Sequence, residues 1–149
     1  MQISDFIKTH YKILKNSLLV PIPLHPKRHK ERGFNQSQKI AELIASKTNC
    51  QVAQILKRVN HTQKQARLSK FKRTQNINNC FTFSSQINYK KNTTKIIIID
   101  DIFSTGSTLE EAAKTIRIAL KIQQKPHPIY HYQIGAFTIA RARLSATIQ

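Results

Sequence analysis

The residues with the clearest chemical potential follow a run of four isoleucines, Ile96–Ile99. Two adjacent carboxylates come directly after this run, and a segment rich in hydroxyl groups follows them. These residues are Asp100 and Asp101, then Ser104, Thr105, Gly106, Ser107 and Thr108. Glycine permits a tight turn, and the free N–H groups at the start of a following helix attract an anion. This spacing predicts a phosphate-binding loop.

The adjacent carboxylates, Asp100 and Asp101, need something that offsets their mutual repulsion beside a bound phosphate. The vicinal hydroxyls of a sugar could donate to them, or a divalent metal ion could lie between acid, sugar and phosphate. Side chains of neighbouring residues in a strand point to opposite faces. Both acids can therefore reach one ligand only where the strand gives way to a loop.

Helix capping is the alternative interpretation of the same hydroxyl groups. Ser107-x-x-Glu110 and Thr108-x-x-Glu111 both match a capping box. The segment lacks the GxxxxGK[ST] pattern of a Walker A loop, and its single glycine does not make a dinucleotide fingerprint. The acid pair, the glycine and the hydroxyls together favour ligand binding over capping alone.

The elements that must position this segment follow from the hydrophobic pattern. Four β-branched residues in a row predict a central strand of a parallel sheet, covered on both faces. We predict helices over 3–15, 35–47 (capped by Asn35) and 107–122, and further strands over 18–24, 52–59, 80–83 and 133–140. The polar, basic stretches 25–33 and 61–79 are predicted as loops. This order predicts an α/β sandwich around a mainly parallel sheet.

Composition limits the class of protein further. A length of 149 residues with 40% hydrophobic residues fits one domain over 1–149, with an N-terminal helix over 1–16 and a core over 17–145. Cys50 and Cys80 lie too far apart for a Cys-rich zinc module or a disulfide framework, so we expect no zinc and a cytoplasmic protein. The chain has no apolar run of 18 residues and no signal-peptide pattern at its start, so we expect no membrane insertion.

The formal net charge is +18, and residues 1–99 carry 19 of the 25 Lys and Arg residues. Such a field attracts nucleic acid, pyrophosphate, phosphorylated sugars or an anionic surface. A charge that serves only solubility is the alternative.

Residues 96–108 resemble the signature of the type I phosphoribosyltransferases, in which four apolar residues, two acids and two apolar residues precede a Thr-Gly-x-Thr-like loop. Residues 20–28 and 31–36 are similar to the hallmark of the ComF family, competence proteins related to those enzymes. Similar blocks follow at Gln65–Leu68, Arg73, Asn76–Phe81 and Ala140-Arg141, so that the resemblance covers about residues 17–145. Many ComF proteins begin with a four-cysteine zinc module, which this sequence lacks.

The resemblance implies a type I phosphoribosyltransferase-like three-layer sandwich that binds phosphoribosyl pyrophosphate (PRPP). Asp100 and Asp101 would hold the ribose hydroxyls and Mg²⁺, directly or through the ligand, and Ser104 to Thr108 would hold the 5′-phosphate. The pyrophosphate would lie against His25, Lys27, Arg28, Arg32 and Gly33. A lid over 61–76 would bring Arg67 and Arg73, so that the catalytic set is Asp100, Asp101, Arg67 and Arg73.

The sequence is compatible with three functions. The first is a Mg²⁺-dependent phosphoribosyltransferase of natural competence, which acts on an acceptor that the sequence does not name. The second is a component of DNA uptake that does not catalyse a reaction and contacts single-stranded DNA mainly through its phosphates. The third is an interaction scaffold. The resemblance also implies a competence helicase as a partner.

Overall fold

A computed structural model describes residues 3–59, 80–84, 95–103, 105–123, 133–139 and 144–145 of the chain. The elements are α1 (Ile3–Leu14), β1 (Ser17–Pro21), α2 (Pro26–Arg32), α3 (Gln36–Ser46), β2 (Gln51–Val52), β3 (Leu56–Arg58), β4 (Phe81–Phe83), β5 (Lys95–Asp100), α4 (Ser107–Gln123), β6 (Gln133–Thr138) and β7 (Leu144–Ser145). The predicted lid with Arg67 and Arg73, and also Ser104, lie outside the described residues.

The main sheet has the strand order β2-β1-β5-β6-β7, with β5 at its centre. The pairs β1–β2, β1–β5 and β5–β6 are parallel, and only the edge pair β6–β7 is antiparallel among the described strands of this sheet. A second sheet is the antiparallel pair β3–β4. Because β1, β5 and β6 run in one direction, their carboxyl ends meet at one edge, where open α/β sheets bind ligands.

The strand β5 divides its four isoleucines between two apolar layers. Ile96 and Ile98 pack towards α4 and the small sheet, whereas Ile97 and Ile99 pack towards α1 and α3. All four are at most 3% exposed. This alternation is the two-residue period of a strand with both faces covered. The predicted three-layer sandwich with a mainly parallel central sheet is therefore confirmed.

The predicted loop over 25–33 is wrong, because most of it forms α2. Pro26 occupies the first turn, where its missing N–H is not needed, and His25 caps the helix by accepting from Lys27 N at 3.2 Å. Gly33 ends the helix with a φ of 76°, a left-handed conformation that favours glycine. No residue of α2 is buried, so the helix has no apolar stripe by which the sequence could reveal it.

The prediction of one strand over 52–59 is also wrong, because the chain changes sheets within it. Residues 51–52 form β2 at an edge of the main sheet, and residues 56–58 form β3. The predicted first strand ends at Pro21 and not at Leu24. The predicted cap of α3 is confirmed, since Asn35 Oδ1 accepts from Ser37 N at 3.0 Å. None of the described helices has both the length and the apolar character needed to cross a bilayer.

Candidate functional site

Asp100 is the last residue of β5 and lies between two other strand ends. Its register partner in β6 is Thr138, and Ile22, just beyond β1, donates its N–H to the carbonyl of Ile99 at 2.9 Å. The Asp100 carboxyl group accepts two hydrogen bonds on Oδ1. One comes from the hydroxyl of Ser37 at 3.2 Å and the other from the backbone N–H of Asp101 at 2.9 Å. Helix α3 and the loop after β5 therefore both fix this carboxyl.

The environment of Asp100 disfavours its ionised form. Burial is the main cause, and it raises the pKa of this carboxyl from 3.8 to about 7. The charge of Asp101 acts in the same direction, as does a hydrogen bond between the two carboxyls. The Asp101 N–H and the Ser37 hydroxyl oppose the shift. The two acids thus interact at the end of β5, and their repulsion favours a hydroxyl donor or a cation beside them.

The loop after the acid pair turns at Gly106, whose φ of 83° is left-handed. A Cβ at this position would lie 3.4 Å from the Phe103 ring. The Thr105 and Ser107 hydroxyls lie 2.9 Å apart, and the Glu110 N–H donates to the Gly106 carbonyl at 3.0 Å. The loop therefore places a hydroxyl pair directly at the start of α4.

Neither of the two predicted capping boxes forms in this turn, but a hydroxyl does satisfy a donor at the start of the helix, since Thr105 Oγ1 accepts from the Ser107 N–H at 3.4 Å. Ser107 is the first residue of α4 and not the residue before the helix, and its hydroxyl contacts Thr105. Of the two glutamates, Glu110 is exposed and Glu111 is buried with its carboxylate 3.8 Å from Lys114 Nζ. The Thr105 and Ser107 hydroxyls therefore bond to each other at the N-terminus of a 17-residue helix, a position that in general favours an anion.

The five residues predicted to bind pyrophosphate lie on α2 and at its ends, directly after β1. Lys27 and Arg32 are exposed, and Arg32 Nη1 donates to Gln36 Oε1 at 2.8 Å. Arg28 is half-buried and interacts electrostatically with Arg58. His25 serves as the cap, and the Gly33 N–H donates to the His29 carbonyl at 2.8 Å. Of this set, His25 and Arg28 are the half-buried side chains.

Arg58 is a candidate residue that the sequence analysis missed. Its guanidinium lies 5.4 Å from the centre of the Phe81 ring, which belongs to the paired strand β4. Burial lowers the pKa of Arg58, and its charge interacts with those of Arg28 and Asp100. The sequence carries a weak signal for this placement, because the alternation of β3 puts Arg58 on the same face as buried Leu56.

The donor groups of the site suit Mg²⁺ that is shared with a phosphorylated ligand. Within the described part of the chain, no group of three or more His, Cys, Asp or Glu side chains could hold a metal ion alone. Magnesium is commonly bound by one or two carboxylates together with substrate phosphates and water. Asp100 and Asp101 provide such a pair.

Similar proteins identify the family. The chain is 31% identical over 121 residues to "Competence protein F" of Haemophilus influenzae, which covers 78% of this chain and 51% of that protein. It is 37% identical over 115 residues to "Competence protein ComFC" of Bacillus subtilis, with 76% and 44% covered. It is 31% identical over 99 residues to "DNA utilization protein YhgH" of Escherichia coli K12, with 66% and 42% covered. No family model and no solved structure matches the chain.

The fold is an α/β sandwich in which the acid pair and the hydroxyl-bearing turn lie at the carboxyl edge of the main sheet. Given these relatives, the chain belongs to the ComF family. The chain spans about half the length of the curated relatives it matches.

Proposed function

We propose that this chain is a phosphoribosyltransferase-like component of DNA uptake that binds PRPP with Mg²⁺ and transfers or recognises its phosphoribosyl group. The observation that carries the proposal is the position of Asp100. Its desolvated carboxyl stands beside Asp101 at the end of the central strand, shortly before the hydroxyl loop. A ribose phosphate offers hydroxyl donors for the acids and an anion for the loop.

Each part of the site has a role in this proposal. Asp100 and Asp101 accept hydrogen bonds from the ribose hydroxyls. The segment from Ser104 to Thr108 holds the 5′-phosphate with its hydroxyls and the N-terminus of α4. Arg28 and Arg58 approach the pyrophosphate from the α2 side and the β3 side. Asp100 and Asp101 would hold Mg²⁺ directly or through the ligand, and the ion would supply positive charge beside the pyrophosphate.

The reaction would break the bond between ribose C1 and the pyrophosphate oxygen. Pyrophosphate leaves with the electron pair, and an acceptor nucleophile that loses a proton forms the new bond to C1. Negative charge builds on the leaving group in this step, so cations aimed at it lower the barrier. Arg67 and Arg73 of the proposed lid would add to this positive charge, along with His25, Lys27 and Arg32.

The role in DNA uptake rests on the names of the relatives, which are competence proteins and DNA utilization proteins. The location in the cytoplasm and contact with a competence helicase are part of the same proposal.

Isothermal titration calorimetry with PRPP and Mg²⁺ tests the ligand. We expect the wild type to bind and the Asp100→Asn/Asp101→Asn variant to bind at least about tenfold more weakly, since charged acceptors contribute about 1.5–3 kcal/mol per hydrogen bond. Asp5→Asn makes the same chemical change on the exposed surface of α1 and should bind as the wild type does. Absence of binding by the wild type, or equal affinity of the double variant, would refute the proposal.

A second candidate function is binding of single-stranded DNA, favoured by the exposed cations of α2. Lys27, His29, Lys30 and Arg32 are exposed beside the same edge of the sheet, with Glu31 as the acid among them. Fluorescence anisotropy with an oligothymidylate should show an affinity that falls steeply with salt. Lys27→Ala/Lys30→Ala should weaken binding, whereas Lys39→Ala/Lys47→Ala on α3 and at its end should weaken it less. Salt-independent affinity would exclude this mode.

A further inference from the structure

The hydroxyl of Ser37 contacts Asp100 across a sequence separation of 63 residues. Ser37 is 4% exposed and lies in the first turn of α3, where a serine hydroxyl commonly bonds to nearby backbone. Here it donates instead to Asp100 Oδ1, the same oxygen that accepts from the Asp101 N–H. Both bonds hold the same oxygen, so Ser37 and the Asp101 N–H together fix the orientation of this carboxyl.

The position of Ser37 is itself fixed by a chain of hydrogen bonds. Its N–H donates to Asn35 Oδ1 at 3.0 Å, and Asn35 Nδ2 donates to the carbonyl of Ile22 at 2.9 Å. Ile22 in turn donates its N–H to the carbonyl of Ile99, the residue before Asp100. The Ser37 hydroxyl is thus held against Asp100 by the end of β1 and the cap of α3.

We propose that Ser37 is a positioning residue that fixes the Asp100 carboxyl for a ribose hydroxyl and so sets a preference for ribose phosphates over deoxyribose phosphates. This inference rests on the proposed function. A carboxylate held in one orientation is left without a donor when the sugar lacks the hydroxyl, and a site of that kind rejects the deoxy analogue strongly. A carboxylate that can rotate finds another donor or water, and discrimination falls.

The test compares ribose 5-phosphate with 2-deoxyribose 5-phosphate, each titrated with Mg²⁺ into the wild type, Ser37→Ala and Ser46→Ala. The control residue Ser46 is an exposed serine of the same helix, and its hydroxyl donates to Leu43 O at 2.9 Å. We expect the wild type to prefer the ribose compound by about tenfold or more. Ser37→Ala should reduce this preference to less than about threefold mainly by weaker binding of ribose 5-phosphate, and Ser46→Ala should retain it.

The ratio of affinities separates positioning from general damage to the fold. A structural defect would weaken the binding of both sugar phosphates alike and leave the ratio of their affinities unchanged. In an Asp100→Asn background, Ser37→Ala should change the ratio no further, because the two residues act as one unit.

Two kinds of result overturn the inference, and they are distinguishable. A wild type that binds neither compound overturns the proposed function and this inference together. A wild type that prefers ribose 5-phosphate, with a Ser37→Ala variant that keeps the full preference, overturns the role of Ser37 alone. Equal binding of both compounds by the wild type also overturns the role of Ser37, because there is then no preference for this residue to set.

Discussion

Replacement of Asp100 by asparagine should make the metal-free protein more stable, by an amount that grows with pH. In the folded protein burial and the charge of Asp101 raise the pKa of this carboxyl to about 7, against 3.8 for the ordinary side chain. The folded state therefore holds a proton that the unfolded chain has already released. The stability that this proton contributes is complete below pH 3.8, declines as the pH rises and is lost above about pH 7.

The size of the effect follows from the two pKa values. Each tenfold change in the ionisation equilibrium is worth about 1.4 kcal/mol, so the wild type should lose at most about 4 kcal/mol between about pH 4 and pH 8 through this group. The asparagine side chain would be neutral throughout, and its oxygen can still accept from Ser37 and from the Asp101 N–H. The free energy of unfolding of Asp100→Asn minus that of the wild type should therefore rise over this range.

Urea denaturation in EDTA at about pH 4.5, 6, 7 and 8 measures this difference directly. Other titrating groups are common to both proteins and largely cancel from it. The control is Asp5→Asn on the exposed surface of α1, where a surface substitution should change the unfolding free energy by about 0.5 kcal/mol or less. A difference for Asp100→Asn that stays constant to within about 1 kcal/mol across this pH range would refute the account of a desolvated acid pair.

Three further substitutions test separate parts of the site and the fold. Gly106→Ala should cost about 1–2 kcal/mol of stability in urea because of the left-handed φ, and it should also weaken PRPP binding; unchanged values of both would contradict the loop geometry. Arg58→Gln should weaken binding of PRPP with Mg²⁺ about tenfold by calorimetry, whereas Lys57→Gln on the exposed face of β3 should not. Equal effects of the two substitutions would show that Arg58 makes no specific contribution to binding. Ile98→Ala should lower the unfolding free energy by about 2–5 kcal/mol, because this side chain is fully buried in the central strand; a loss below about 1 kcal/mol would contradict its placement.

The sequence predicts the parts of the fold that depend on local pattern. Four consecutive isoleucines give a strand that is apolar on both faces, and only the centre of a covered sheet provides that environment. Asn35 before an amphipathic stretch gives the cap of α3, because its side chain satisfies a backbone donor within two residues. The acid pair and the glycine turn are similarly local, since both lie within the same short connection.

The parts that the sequence does not predict depend on contacts between distant segments. The bond from Ser37 to Asp100 exists only because β1 and β5 pair in parallel and bring α3 over the end of β5. The chain passes from the main sheet at β2 to the small sheet at β3, and this change depends on the strand with which each short strand pairs. Helix α2 was missed for a different reason, since its capping by His25 and Pro26 is a local signal but its exposed basic face has no hydrophobic period.

The balance of charge around Asp100 helps to identify the kind of ligand that the site suits. A net charge of +18 should favour an ionised carboxylate, yet the pKa of Asp100 is raised. Burial and the neighbouring acid therefore outweigh the attraction of the surrounding cations, including the nearby Arg58. The acid pair and the cations near it form two sets of groups, and the charge of Arg58 interacts with that of Asp100. A ligand with hydroxyl groups at one end and phosphates at the other can satisfy both sets of groups, and a plain polyanion can satisfy only the cations.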